Sequence, residues 1–260
     1  SVELFTEDVQ IFHSIKEQFE YFKSLKTNIC VYYHNLKFDG EFWLSFLLTK
    51  MKYTQAHTKL NEQGTEVEWL SEKDMPNNSF KYSISDKGMW YTIVIKTGGY
   101  FIEIRDSLKL LPFAVKRIGE SFKTKHQKLD MEYKGLRFAG CEITDEEKKY
   151  IRNDVLVVKE ALEVMFTEGH TQLTIGACCL AEYKAIMGTA DYESFFPSMT
   201  DIELDDSIHK YSNADRWIRK SYKGGWCYLV KGKGNKIYND GSTADVNSLY
   251  PSVMSSESGN

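Results

Sequence analysis

The sequence predicts an α/β protein, and three segments carry that prediction. A short run rich in β-formers, Ile29–His34, reads as a buried strand between two segments of helical character. Residues 78–106 read as strands, with Gly98-Gly99 turning Trp90–Ile95 back into Tyr100–Arg105. Thr144 and Glu147 form a capping box ahead of a long helix whose core stripe is Ile151, Val155, Val158, Leu162 and Met165. Strands mixed with helices in this order define an α/β domain.

The remaining elements follow in order. Phe12, Ile15, Phe19 and Phe22 recur at helical spacing and predict an amphipathic first helix. A second helix is expected from Gly40 through Lys50. After about residue 170 the character changes. Helical segments run to Met187, then acidic residues gather at Asp191, Glu193, Asp201, Glu203, Asp205 and Asp206. A basic loop with Gly224-Gly225 comes next, and a strand is expected near Ile237–Val246. A domain boundary is placed near residue 174, dividing the chain into 1–174 and 175–260. No internal repeat or low-complexity tract is visible.

Composition narrows the class. With 42 % apolar and 14 % aromatic residues and four prolines, the chain has the material for a packed core and not for disorder. No run approaches the roughly 18 apolar residues of a membrane helix, so no membrane partner is expected. The opening Ser-Val-Glu-Leu-Phe has no basic-then-apolar signal region. Five cysteines, none in a CxxC spacing, predict reduced and mostly buried thiols of a cytosolic protein, and no zinc site. Net charge is −4, but nine Lys/Arg face four Asp/Glu between Arg105 and Arg137, and eight face one between Lys210 and Lys236. Such tracts suit a groove that tracks a phosphate backbone; an ordinary solvated face gives the same pattern.

Three segments carry chemistry. In Tyr150-Ile-Arg-Asn-Asp154 the first and last residues share one helix face. Their row continues through Val157 and Ala161 beside the core stripe, so Asp154 is expected to be half-buried. A carboxylate in that position needs a partner: a divalent cation, or a nearby Arg or Lys. In His34-Asn-Leu-Lys-Phe-Asp39-Gly, Asp39 follows the buried strand, as an N-cap of the next helix or as one carboxylate of a two-metal phosphodiesterase site. Tyr32, His34, Asn35, Phe38 and Phe42 around it suit single-stranded bases, which stack on aromatic faces, though some of these rings belong equally well to a core. In Asp245-Val-Asn-Ser-Leu-Tyr250-Pro-Ser, a carboxylate precedes a turn with small hydroxyl residues. That is a metal site near triphosphate oxygens or a plain surface turn.

Together these segments resemble the protein-primed family B DNA polymerases of the φ29 type. HNLKFDG (34–40) resembles the family's second exonuclease motif and YIRND (150–154) its third. DVNSLYPS (245–252) is similar to the first polymerisation motif, and YKGG (222–225) to the loop between exonuclease and polymerase domains. DSLKLLPF (106–113) resembles the Ser-Leu element that contacts single-stranded DNA and the priming protein. Lys128-Leu-Asp-Met131 falls where the family has a catalytic lysine. The resemblance implies an RNase H-like 3′–5′ exonuclease domain, a mixed sheet flanked by helices, followed by an incomplete palm. It implies Mg²⁺ or Mn²⁺ on Asp39 and Asp154, with Tyr150 positioning the attacking water and Lys128 stabilising the scissile phosphate. His34, Asn35, Phe38, Ser107 and Leu108 would hold the primer 3′ end. Asp245 would be a palm metal ligand, Ser248, Leu249 and Tyr250 would face the incoming dNTP, and Tyr222, Gly224 and Gly225 would guide DNA. Single-stranded and primer-template DNA and a terminal protein are the implied partners of a cytoplasmic, monomeric phage or prophage protein.

The chain also departs from the pattern. The family's first exonuclease motif, Asp-x-Glu, has no match before Asp39; Asp130-Met-Glu132, Asp191-Tyr-Glu193 and Asp201-Ile-Glu203 all come too late. No Tyr-x-Asp-Thr-Asp follows Asp245. The expectation is a segment truncated at both ends, without polymerase activity and with little or no exonuclease activity. The competing expectation is an inactive prophage remnant that binds single-stranded DNA or a terminal protein.

Overall fold

The computed structural model describes residues 1–60, 67–132, 141–197, 220, 225 and 227–255. Its contacts divide into two units, Ser1–Phe196 and Pro197–Asn260. In the first, α1 (Ile15–Ser24) leads into β1 (Ile29–Tyr33) and α2 (Leu36–Thr49). The strands β2 (Thr54–Gln55), β3 (His57–Leu60), β4 (Val67–Trp69), β5 (Ser79–Ile84), β6 (Trp90–Thr97) and β7 (Tyr100–Asp106) follow. Then come α3 (Val115–Phe122), α4 (Asp145–Thr167), α5 (Ile175–Met187) and α6 (Thr189–Phe195).

Five strands form one mixed sheet in the order β1-β7-β6-β5-β2. β1 runs parallel to β7 and β2 parallel to β5, while β5, β6 and β7 form an antiparallel meander. β3 and β4 make a separate antiparallel pair. The β6–β7 hairpin is built as its sequence dictates: Thr97 pairs with Tyr100, and Gly98 and Gly99 both take positive φ (58° and 83°). Two such residues in succession match the right-handed twist of the flanking strands.

Strand alternation sends side chains to two faces. On one, Ile93, Ile95, Ile102 and Ile104 meet Phe19 and Phe22 of α1 and Trp43, Phe46 and Leu47 of α2. Trp43 stacks on Phe22 at 6.3 Å and meets Phe19 edge-on, while its Nε1–H donates to the Tyr33 hydroxyl. A second core gathers Leu110, Leu111, Ile118 of α3, Val157, Ala161, Leu162 and Met165 of α4, and Cys178 of α5. The mixed sheet flanked by helices is the architecture expected from the sequence.

Several expectations are corrected. α2 begins at Leu36, four residues before Gly40, because Asn35 takes the left-handed conformation (φ 71°) and starts the helix there. Asp39 therefore lies within the first turn and is not the N-cap. α1 starts after Phe12, with Ser14 as its cap. The capping box of α4 is present, but its buried face is Leu156, Val157, Ala161, Leu162 and Met165. Ile151 is 39 % exposed, and Val155 and Val158 are only half-buried. The row carrying Tyr150 and Asp154 thus runs straight into the core rather than beside it. Of the cysteines, Cys178 is buried, Cys141 half-buried, and Cys30, Cys179 and Cys227 exposed, so most are not core thiols.

In the second unit no strand forms at 237–246; Ile237 is 95 % exposed. Asn239-Asp-Gly-Ser242 interrupts the run with turn-forming residues. A short helix, α7 (Leu249–Ser255), follows, with Pro251 in its first turn where no N–H is needed.

Gly40 illustrates how a motif residue can serve packing. A Cβ there would lie 2.5 Å from Cζ3 of Trp90, a side chain buried in the first core. Gly40→Ala is expected to lower stability in urea by about 1–3 kcal/mol from overpacking, despite the better helix propensity of alanine. A variant as stable as the parent would show that Trp90 yields.

Candidate functional site

The parallel pairing of β1 with β7 places Tyr33 opposite Asp106, so both strands end side by side. Residues 73 apart in sequence meet there. Ser107 Oγ lies 3.1 Å from Nδ1 of His34, and its hydroxyl donates to the Tyr33 carbonyl at 3.0 Å. Nε2 of His34 donates to the Phe113 carbonyl at 2.8 Å. Burial pushes the His34 pKa down against the Phe113 hydrogen bond and the Asp106 charge, favouring a neutral ring.

Asp106 organises this corner. It is 3 % exposed, and its Oδ1 accepts the backbone N–H of both Asn35 and Leu108 at 3.0 Å. Its Oδ2 lies 3.9 Å from Lys109 Nζ. One carboxylate therefore caps the start of α2 and the 3-10 turn Ser107–Lys109 together. Sequence reasoning missed Asp106. The available signal was an Asp at a strand end directly before Ser-Leu, the cap position of a turn.

Beyond Asn35, Phe38 and Phe42 project from α2, 67 % and 55 % exposed, with rings 5.6 Å apart at 69°. Asp39 stands between them in sequence and is half-buried. Burial pushes its carboxyl above the ordinary range; a backbone hydrogen bond opposes this, and the Asp106 charge adds to it.

A second constellation lies on α4. Lys128 Nζ donates to the Tyr150 hydroxyl and to Asp154 Oδ2, each at 2.7 Å, and sits 4.6 Å from the Tyr150 ring centre. Burial lowers the Lys128 pKa, but the bonds to Asp154 and Tyr150 and their charges more than offset it, and the net shift is upward. Asp154 Oδ1 is buried without a hydrogen-bond partner, the one such side-chain atom among the described residues. An unpaired buried acceptor costs about 1–3 kcal/mol. A carboxylate oxygen lacking a donor is what a hard cation takes as a ligand, so Asp154 fits a divalent metal. The sequence posed a cation or a lysine for this carboxylate; Lys128 takes one oxygen and leaves the other open.

Other candidates are placed elsewhere. Tyr32 packs on Phe166 at 5.6 Å in the second core, and burial raises its phenol to about 12. Strand alternation turns it away from Tyr33, so it does not join Phe38 and Phe42. Asp39 stands on α2, whose Leu36, Trp43, Phe46 and Leu47 build the first core, and Asp154 on α4, whose Val157, Ala161, Leu162 and Met165 build the second. In the second unit, Asp245, Ser248, Leu249 and Tyr250 are exposed, and a Cβ on Gly225 would lie 3.9 Å from the Tyr250 hydroxyl. Tyr222 and Gly224 lie outside the described residues. Among the described residues no group of three or more His, Cys, Asp or Glu is arranged to hold a metal. No described helix is long and apolar enough to cross a membrane.

The protein belongs to the family of DNA polymerases type B, organellar and viral, whose model matches residues 22–140 and 138–258. It is 33 % identical over 253 residues to the DNA polymerase of Bacillus phage Nf, covering 95 % of this chain and 39 % of that protein. With the DNA polymerase of Bacillus phage phi29 it shares 34 % over 235 residues, 88 % of this chain and 36 % of the relative. Phi29 DNA polymerase complexed with primer-template DNA and incoming nucleotides superposes with a TM-score of 0.64 at 31 % identity, over 84 % of this chain and 34 % of that one. The same polymerase complexed with single-stranded DNA gives 0.63. The chain thus spans less than two-fifths of the length of the curated relatives it matches.

Proposed function

We propose that this chain is the exonuclease portion and early palm of a protein-primed DNA-directed DNA polymerase, and that its first unit edits the 3′ end of a DNA strand. The observation that carries the reading is the Lys128–Tyr150–Asp154 cluster, with a buried carboxylate oxygen left open. Membership in the polymerase family supports it. Residues 1–174 are the exonuclease domain and 175–260 begin the palm, with α5 packed on the exonuclease side through Cys178.

In this reading His34, Asn35 and Leu108 hold the terminal nucleotide at the paired ends of β1 and β7, and Ser107, 0 % exposed, sets the His34 ring from behind. Phe38 and Phe42 supply faces on which bases stack. Family B polymerases depend on metal ions. Asp154, with its open oxygen, and Asp39 would be the carboxylates that hold Mg²⁺ or Mn²⁺, which would supply activation of water and stabilisation of the leaving oxygen. Tyr150 orients the attacking water by its hydroxyl, and Lys128 turns its ammonium from Asp154 toward the phosphate. Asp245 and Tyr250 serve nucleotide addition in the palm, with Gly225 beside Tyr250 leaving room for backbone to approach phosphate. A terminal protein, a monomeric state and the cytoplasm of a bacterial host complete the proposal. With Asp39 and Asp154 as its exonuclease carboxylates, the 260-residue chain binds a 3′ end well and cleaves it slowly.

Fluorescence anisotropy with a single-stranded oligonucleotide tests the reading. Affinity is expected to fall steeply with salt, as phosphate neutralisation requires. Phe38→Ala is expected to weaken it about ten-fold, within the about 1–3 kcal/mol of one stacked base. Binding indifferent to salt and to Phe38→Ala would sink the proposal.

A further inference from the structure

A lysine ammonium on four rotatable bonds is a poor point charge unless its backbone is fixed. The segment before Lys128 is fastened to α4 at successive residues. The His126 backbone N–H donates to Glu160 Oε2 at 3.1 Å, and its Nδ1 lies 2.5 Å from Glu160 Oε1. Next, the Asn153 amide donates to the Gln127 carbonyl at 2.9 Å. Lys128 then reaches Tyr150 and Asp154. Both members of the first rung are shielded, with side chains 21 % and 15 % exposed. The geometry is self-consistent: six helical residues from Asp154 to Glu160 rise about 9 Å, and residues 126–128 extended cover about 7 Å. The order of these contacts therefore runs the segment along the helix, antiparallel to it. Thr124 Oγ1 donates to the His126 carbonyl at 2.6 Å and holds the segment from behind.

We infer that His126 and Glu160 are the positioning pair for Lys128, fixing residues 126–128 along α4 so that the ammonium meets Tyr150 and Asp154. The consequence for cleavage rests on the nuclease reading above, but the pairing itself does not involve DNA.

Trace acetylation of the whole chain, read lysine by lysine by mass spectrometry, tests it. The measure is the Lys128 rate relative to exposed Lys37. Glu160→Ala is expected to raise that ratio about five-fold, the factor one net hydrogen bond is worth. Glu160→Gln retains an acceptor oxygen and is expected to restore most of the protection, a rescue that a merely structural role would not give. An unchanged ratio in a folded Glu160→Ala variant overturns the inference. Should every lysine in that variant react faster together, the fold has been lost, and His126→Ala decides. It keeps the backbone bond to Glu160, so a selective rise at Lys128 supports the pairing and an unchanged ratio overturns it. The labelling needs no nucleic acid, so its failure is distinct from a failure to bind oligonucleotide.

Discussion

Asp106→Ala is expected to destabilise the first unit by about 3 kcal/mol, because a buried carboxylate with two main-chain partners is removed. The backbone N–H groups of Asn35 and Leu108 would lose their acceptor, and Lys109, whose side chain is 10 % exposed, would lose its nearest countercharge. The same change should loosen the corner where His34 and Ser107 meet, so oligonucleotide affinity should fall with stability. Asp106→Asn keeps an oxygen at the Oδ1 position and is expected to recover part of both. Urea unfolding and anisotropy on the two variants measure this. An alanine variant within about 1 kcal/mol of the parent would remove Asp106 from its organising role, since even one unpaired buried donor costs that much.

Asp106 also marks where sequence reasoning reached and where it stopped. The β6–β7 hairpin was legible because Gly98-Gly99 is local turn chemistry, and α4 because its capping box is local too. The parallel pairing of β1 with β7 has no local signature: nothing in either strand states that residue 34 will sit beside residue 107. The Ser-Leu element and the His-Asn element were each identified, yet the aspartate joining them was not, because its role exists only once the strands are adjacent. The rotation of α4 was misjudged for a different reason. Val155, Leu156, Val157 and Val158 are four consecutive apolar residues, so apolar spacing leaves two overlapping stripes and cannot choose between them. The structure chooses the stripe containing Ala161, a small residue. The strand expected at 237–246 failed because β-propensity expresses packing on a neighbour more than a backbone preference. At the candidate metal centre, the carboxylate of Asp154 and its two classes of partner were both readable. That Lys128 occupies one oxygen and leaves the other bare was not, since it depends on residues 26 apart.

Trp43→Ala is expected to cost about 3–5 kcal/mol in urea unfolding, the range for deleting a large buried aromatic. Trp43 is 1 % exposed and touches Phe19, Phe22, Tyr33 and Phe46, so its loss opens a cavity where α1, α2 and the sheet meet. Five residues earlier on the same helix, and so on a different face, Phe38 is 67 % exposed. Phe38→Ala should therefore leave stability within about 0.5 kcal/mol of the parent, as surface changes usually do. Helix α2 thus carries aromatics on two faces, one facing the core and one left to solvent at the end of β1. Composition cannot separate them, but the two substitutions can: Trp43→Ala should act on folding, Phe38→Ala on oligonucleotide affinity. If Phe38→Ala proved the more destabilising, α2 would be turned about its axis. Asp39, next to Phe38, would then point toward the sheet, away from the strand ends where a DNA terminus is proposed to lie.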